Sequence, residues 1–401
     1  MVPKGWITKA LELTGVKVID GDRGKEYPKA SDFSGDGYCL FLSAKNVTKY
    51  GFQFNELQFI DAEKDKKLRK GRVKRSNIVL TTRGSVGHFA YYDASVPYDV
   101  MRINSGMVIL DADESDLEPN FLYALCRSFI VQKQIEAASF GSAQPQLTVG
   151  IVKGLKLPIP TLVEQKKIAQ ILSTWDKAIS VTEKLLTNSQ QQKKALMQQL
   201  LTGKKRLLDE NGVRFSGEWK QDVNLGSIIN ISKGVQINKN TLSEDGQFPV
   251  INGGIAPSGF TSEFNTDENT ITISEGGNSC GYVAFQKKSF WCGGHCYAVR
   301  KTALDLSFTF HLLKYNELKI MGLRVGSGLP NIQKKAIEAF TVNFPVTSVE
   351  QQKIAAVLSA ADDEIATLEK KLACLRDEKK ALMQQLLTGK RRVKVDEAVA
   401  V

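Results

Sequence analysis

Two stretches of the chain carry apolar residues at alternating steps of four and three among polar ones, the spacing that lines them along one face of a helix. The first runs through Ile168, Leu172, Trp175, Ile179, Thr182, Leu186, Ser189, Lys193, Leu196 and Leu200. The second runs through Ile354, Leu358, Ala361, Ile365, Leu368, Leu372, Leu375, Lys379, Leu382 and Leu386. Each begins behind a Thr-x-x-Glu, Thr161 to Glu164 and Thr347 to Glu350, whose hydroxyl and carboxylate can satisfy backbone N–H groups left unpaired by the first turn. Each stops at a glycine, Gly203 and Gly389. The spacing predicts two helices of about 41 residues, rods of roughly 60 Å. A seam that long needs cover, and the nearest cover is the other helix, so an antiparallel coiled-coil pair is expected. Two independent oligomerisation arms are the other arrangement the pattern allows.

The two stretches are copies. Shifted by 186 positions, Glu164–Arg206 falls on Glu350–Arg392 without a gap, and 25 of 43 positions are identical. Lys193–Lys204 recurs letter for letter as Lys379–Lys390. Off the seam, Met197, Leu201, Met383 and Leu387 form a second apolar strip, more than a two-helix pair needs. Partner proteins are expected to dock there, although cover by the rest of the chain would use the strip equally well.

The remaining segments hold short β-branched stretches such as Asn77–Thr82 and Asn269–Ser274, broken by Gly, Asn and Asp. Each segment begins near a tryptophan, Trp6 or Trp219, and ends in a helical stretch. The expected fold class is α+β, with two mixed α/β globular domains separated by the long helices in a pseudo-two-fold repeat. The expected divisions are a first domain at 1–157, a central repeat helix at 158–207, a second domain at 208–343, and a distal helix with a basic tail at 344–401. A length of 401 residues suits more than one domain.

Charge sharpens the picture. Fifty-four Lys and Arg against 43 Asp and Glu leave a net +11, which suits a polyanionic partner. Eight of the cations fall in one run of the first domain, Lys64, Lys66, Lys67, Arg69, Lys70, Arg72, Lys74 and Arg75, with Asp65 the lone acid. Such a density repels itself unless phosphates or acids lie opposite, so contact with a nucleic-acid backbone is expected, a solvated loop being the alternative. Asn46, Arg83, Ser85 and His88 carry donors suited to bases or phosphates. Asn252, Ser274, Glu275, Asn278, Lys287 and Lys288 are their looser counterparts in the second domain.

Catalytic patterns are missing as a set: no GxxxxGK[ST], no GxGxxG opening a helix after a strand, no Pro-Pro dipeptide, and three histidines in no nucleophile arrangement. Cys292-x-x-His295-Cys296, with Cys280 upstream, lacks a clean second ligand pair and reads as a buried cluster beside Phe290-Trp291 rather than a metal centre. Six scattered cysteines do not form a disulfide framework. Residues Met1–Trp6 lack the apolar core of a signal peptide, and no stretch approaches the ~20 apolar residues of a membrane span, so a cytoplasmic protein without a membrane partner is expected.

Taken together, the layout resembles the specificity subunits of type I restriction-modification systems. The resemblance is carried by Pro158-Ile159-Pro160, Glu164-Gln165, Lys167-Ile168-Ala169, Leu172-Ser173 and Asp176, by their copies Glu350-Gln351, Lys353-Ile354-Ala355, Leu358-Ser359 and Asp362, and by Leu196–Gly203 with its copy. Gly141-Ser142-x-Gln144 and Phe248–Gly254 resemble loop motifs of the family's recognition domains; Gly326-Ser327-Gly328-Leu329 lacks the glutamine. The resemblance implies a non-catalytic subunit whose two target-recognition domains each read half of an asymmetric, bipartite double-stranded DNA site, with Gln144 among the contacts. It also implies two methyltransferase subunits bound through the helices and two restriction (translocase/nuclease) subunits. S-adenosylmethionine, ATP and magnesium then belong to those partners, and this chain holds no cofactor. A DNA reader of another phage-defence system, a coiled-coil adaptor and an enzyme with an unfamiliar site are the alternatives.

Overall fold

A computed structural model of the chain describes residues 3–139, 146–326, 328 and 330–395. It comprises two compact units, Met1–Thr182 with Lys371–Val401, and Glu183–Lys370. The predicted helices are Leu162–Leu200 and Ser348–Leu386, 39 residues each. Both pass from one unit into the other, so each unit contains the N-terminal part of one copy and the C-terminal part of the other.

Within the first unit, Lys379 Nζ meets Asp176 at 2.5 Å and Arg392 Nε meets Glu164 at 2.7 Å. Numbers fall along one segment as they rise along the other, so the segments run antiparallel. The second unit repeats the arrangement with the equivalent residues: Lys193 pairs with Asp362, and Arg206 with Glu350 at 2.5 Å. The capping expectation is half met. Thr161 Oγ1 accepts from the Glu164 N–H at 3.4 Å, but the Glu164 carboxylate accepts from the Thr161 hydroxyl at 3.3 Å and from Arg392 Nε at 2.7 Å, and not from the cap's backbone N–H. A buried carboxylate gains more from a charge-assisted bond to guanidinium than from a neutral N–H.

Identical letters make identical joints. Gln165 Oε1 accepts from Glu118 N at 2.9 Å and its Nε2 donates to Asp116 O at 3.0 Å; Gln351 Oε1 accepts from Asp305 N at 2.8 Å and its Nε2 donates to Pro345 O at 2.8 Å. Glu118 and Asp305 cap the helices Pro119–Cys126 and Leu306–Tyr315. Each long helix is thus bolted at its start to a globular part.

The globular parts share a topology. In the first unit an antiparallel sheet runs Lys17–Asp20, Met107–Asp111, Ile78–Thr81, Phe89–Tyr91; in the second the order is Ile229–Lys233, Cys296–Thr302, Thr270–Ser274, Val283–Gln286. A smaller sheet in each contains one parallel pair, Cys39–Leu42 with Met101–Ile103 and Phe248–Ile251 with Trp291–Cys292. In the first unit this sheet gains an edge strand, Arg72–Val73, beside Met101–Arg102.

Of the second apolar strip, Leu201 and Leu387 are buried within the chain itself, and Met197 and Met383 are half-buried. Leu201 is 3% exposed and packs with Leu200 among Ile354, Leu358 and Phe344, with Met197 against the same cluster. Leu387, fully buried, packs with Leu386 among Trp6, Leu11, Ile168 and Leu172, with Met383 alongside. The surplus apolar surface closes the two cores. Behind it the chain leaves the helix at Gly203 and Gly389, both left-handed with φ near +70° and both seated against a tryptophan, Trp219 or Trp6.

One titratable group lies deep in the second unit. His311, 1% exposed, has Nε2 3.0 Å from Ser359 Oγ and Nδ1 3.9 Å from Asp362. Burial pushes its ring down to about 4, with Asp362 pulling the other way.

Two outcomes are expected. Leu201→Asp and Leu387→Asp each place an unpaired charge in a core, and urea unfolding of the whole chain should register a loss of ~4 kcal/mol or more; unchanged stability would mean the strip is free after all. The His311 ring is kept neutral in the fold, whereas an unfolded histidine titrates near 6.5. As pH falls from about 6.5 towards 4 the unfolded chain therefore binds a proton that the folded unit refuses, and stability drops across that window. His311→Gln should flatten this part of the stability profile, measured by urea unfolding at pH 7 and pH 5.

Candidate nucleic-acid interface

The basic run is a built structure and not a loop of loose charge. Asp61 caps the short helix Ala62–Lys67 by accepting from Lys64 N at 2.7 Å. Arg102, 5% exposed and on the neighbouring strand, donates to Asp65 Oδ1 at 2.5 Å, to Lys70 O at 2.8 Å and to Leu68 O at 3.1 Å. Fully buried Asp65 also pairs with Arg72. The lone acid of the run is thus its internal anchor, compensated by two guanidinium groups. Asp22, 4% exposed, accepts from Gly24 N at 2.7 Å and from Arg69 N at 2.8 Å, and these N–H bonds hold its carboxyl below the usual range despite burial.

The eight cations divide accordingly. Lys64 pairs with Asp32 at 3.3 Å, and Arg75 stacks over the Tyr92 ring at 4.1 Å while bonding Asp99 at 2.8 Å. With Arg72 on Asp65, these three serve the fold first. Arg69 is exposed, 3.9 Å from Asp22, and Lys66, Lys67, Lys70 and Lys74 are exposed without an ion pair among the described residues. Five cations therefore face solvent from one pinned segment, a geometry suited to successive phosphates.

Two expected contacts are unavailable. Asn46 is 1% exposed, and its amide is spent on Ser43 N at 2.8 Å, Gln53 O at 3.1 Å and Glu56 O at 2.8 Å. Ser274 is 3% exposed and donates to Gly253 O. Asn46 closes its own loop by bonding nearby backbone, a use its residue type favours, whereas Ser274, the last residue of its strand, ties that strand to a loop 21 residues away. His88 is half-buried with Nδ1 3.4 Å from Val47 O, and Asn252 accepts from His295 N at 3.1 Å. Arg83, Ser85, Asn278, Lys287 and Lys288 are exposed. Gln144 lies outside the described residues. Sequence reasoning passed over Arg102, because nothing local distinguishes a cation on a buried strand.

Each thiol of the cysteine cluster donates to a carbonyl, Cys280 to Glu275 O at 3.0 Å, Cys292 to Cys296 O at 3.6 Å and Cys296 to Tyr297 O at 3.6 Å. Among the described residues no three His, Cys, Asp or Glu side chains are placed to hold a metal, and no helix is long and apolar enough to cross a membrane.

The chain matches the family model "Type I restriction modification DNA specificity domain" twice, over residues 5–188 and 217–375. It is 28% identical over 381 residues to a putative type I restriction enzyme specificity subunit, MjaX, of Methanocaldococcus jannaschii, covering 87% of this chain and 86% of that one. It is 36% identical over 160 residues to a putative type I specificity subunit of Mycoplasma pneumoniae, a match taking in 38% of this chain and only 42% of the relative's length. In fold it is similar to the crystal structure of a type I restriction-modification S subunit from M. genitalium, with a TM-score of 0.70 at 19% identity over 96% of both chains. With both globular parts and the greater part of each long helix inside the matched residues, the chain belongs to the family of type I restriction-modification DNA specificity subunits.

Proposed function

We propose that this chain is the non-catalytic, sequence-reading subunit of a type I restriction-modification assembly, with each globular part reading one half of an asymmetric, bipartite site on double-stranded DNA. The observation that carries the reading is two-sided. The same main sheet and helix joints occur twice and the ion pairs of the long helices recur 186 residues apart, while the surfaces set on them differ. A duplicated frame with unlike surfaces suits two recognition events of unlike content. The long helices hold two modification subunits through faces other than the buried strip, and two restriction subunits join in the restricting complex. S-adenosylmethionine, ATP and magnesium act on those partners. The assembly works on DNA in the cytoplasm.

The exposed cations of the pinned segment engage the phosphate backbone of the first half-site. Replacing Lys66, Lys67, Lys70 and Lys74 by alanine should weaken all DNA sequences alike. It should also lower the slope of log affinity against log salt by about 0.9 for each phosphate no longer neutralised. Titrations of the assembled complex at several salt concentrations check this, and an unchanged slope removes the segment from the interface.

A further inference from the structure

The two globular parts reach the same backbone position at the end of their central strands, and the side chains there are exchanged. In the first, Arg83 bridges to Gln146 and Thr82 N donates to Gly106 O at 2.7 Å. In the second, Gly276 bridges to Asn331 and Glu275 N donates to His295 O at 2.9 Å. Arg83 therefore stands where Gly276 stands, and Gly106 where His295 stands. The exchange is reciprocal in size. A Cβ on Gly106 would lie 3.5 Å from Arg83 Cβ, and one on Gly276 would lie 3.8 Å from His295 Nδ1. At each position a long polar side chain comes from one strand, and the glycine beside it comes from the facing strand, with the roles of the two strands reversed between the globular parts.

Both long side chains are exposed and aimed. With its amide oxygen facing the guanidinium, Gln146 accepts from Arg83 Nη2 at 2.9 Å and Nε at 3.1 Å. Among the described residues that leaves Nη1 and the second N–H of Nη2 as an unengaged fork. The His295 side chain is 61% exposed, with Nδ1 3.6 Å from Glu275 Oε2. Glu275 is itself held by Lys233 at 2.5 Å and by the Tyr297 hydroxyl at 3.2 Å. Gln146 thus fixes the guanidinium through two hydrogen bonds, and an anchored Glu275 stands beside the imidazole, the kind of second-residue support that discrimination between bases demands and phosphate attraction does not.

We propose that this exchanged cross-strand pair is the base-reading position of each half: Arg83, aimed by Gln146, reads a guanine through its two major-groove acceptors, and His295, aimed by Glu275, reads one base edge in the other half-site. The proposal rests on the DNA-reading function put forward above. In this arrangement Gln146 and Glu275 are positioning residues.

Selecting duplexes from a random-sequence library with the full chain assembled with its modification subunits, then sequencing them, reads the preference base by base. Arg83→Ala should reduce discrimination at a single guanine of one half-site by roughly tenfold or more and leave the other half-site as it was. Arg83→Lys, which keeps the charge but loses the fork, should relax the same base. Gln146→Ala should relax it to a smaller degree, and His295→Ala should alter one position of the other half-site only. Arg83 and His295 are exposed, so unchanged melting temperatures are expected. Full retention of the preference by Arg83→Lys overturns the proposal, as does uniform weakening of all sequences by Arg83→Ala. An unaltered complex that selects no sequence sinks the DNA-reading function itself, and this proposal with it.

Discussion

Each core of this protein is closed by the end of a helix that begins in the other unit, and the rest of the architecture follows from that constraint. Leu386 and Leu387 complete the first core and Leu200 and Leu201 the second. A globular part cut out as a continuous segment would expose the apolar surface these residues cover. The twelve-letter identity between Lys193–Lys204 and Lys379–Lys390 has a physical reading: two leucines buried in a core, a glycine in a left-handed turn against a tryptophan, and, three residues beyond the glycine and just past the identical letters, an arginine for the other copy's glutamate.

Apolar seams alone tolerate sliding by a heptad, because every register buries comparable surface. The polar pairs remove that freedom. Lys379 is 9% exposed, and burial holds its ammonium below the usual lysine range while Asp176 pulls it back. A pair so placed gives little net stability, since desolvation of the lysine offsets most of the attraction, but any shifted register would leave its ammonium buried and unmatched. Gln165 and Gln351 secure a different contact, each tying the start of its long helix to the cap of a shorter helix in the adjoining globular part.

The globular parts vary what the frame leaves free. The extra edge strand Arg72–Val73 and the helix Ala62–Lys67 give the first globular part a cationic segment, and Arg102 ties that segment down from beneath. The second has a glycine where the first has Arg83, and brings a histidine from the facing strand. Substitution at such positions alters a surface without disturbing a sheet, because the bridging bonds run between backbone atoms.

The sequence by itself determined the duplication, both long helices, the central strands and the family, since each depends on spacing between near neighbours or on letters repeated at a fixed offset; it favoured an antiparallel pair but left two separate arms open, and the ion pairs decided the order. It read half of the helix cap correctly, and it located the cationic segment. What it did not determine is which polar and apolar side chains remain uncovered. Met197, Leu201, Met383 and Leu387 look like a spare face until globular parts distant in sequence pack on them. Asn46 and Ser274 look like donors until loop carbonyls take up their hydrogen bonds. Asp65 looks like a flaw in a basic run until Arg102 arrives from a strand 37 residues away. Only tertiary structure decided those matters, because burial and partnership depend on which segments meet in space, and local periodicity carries no record of that.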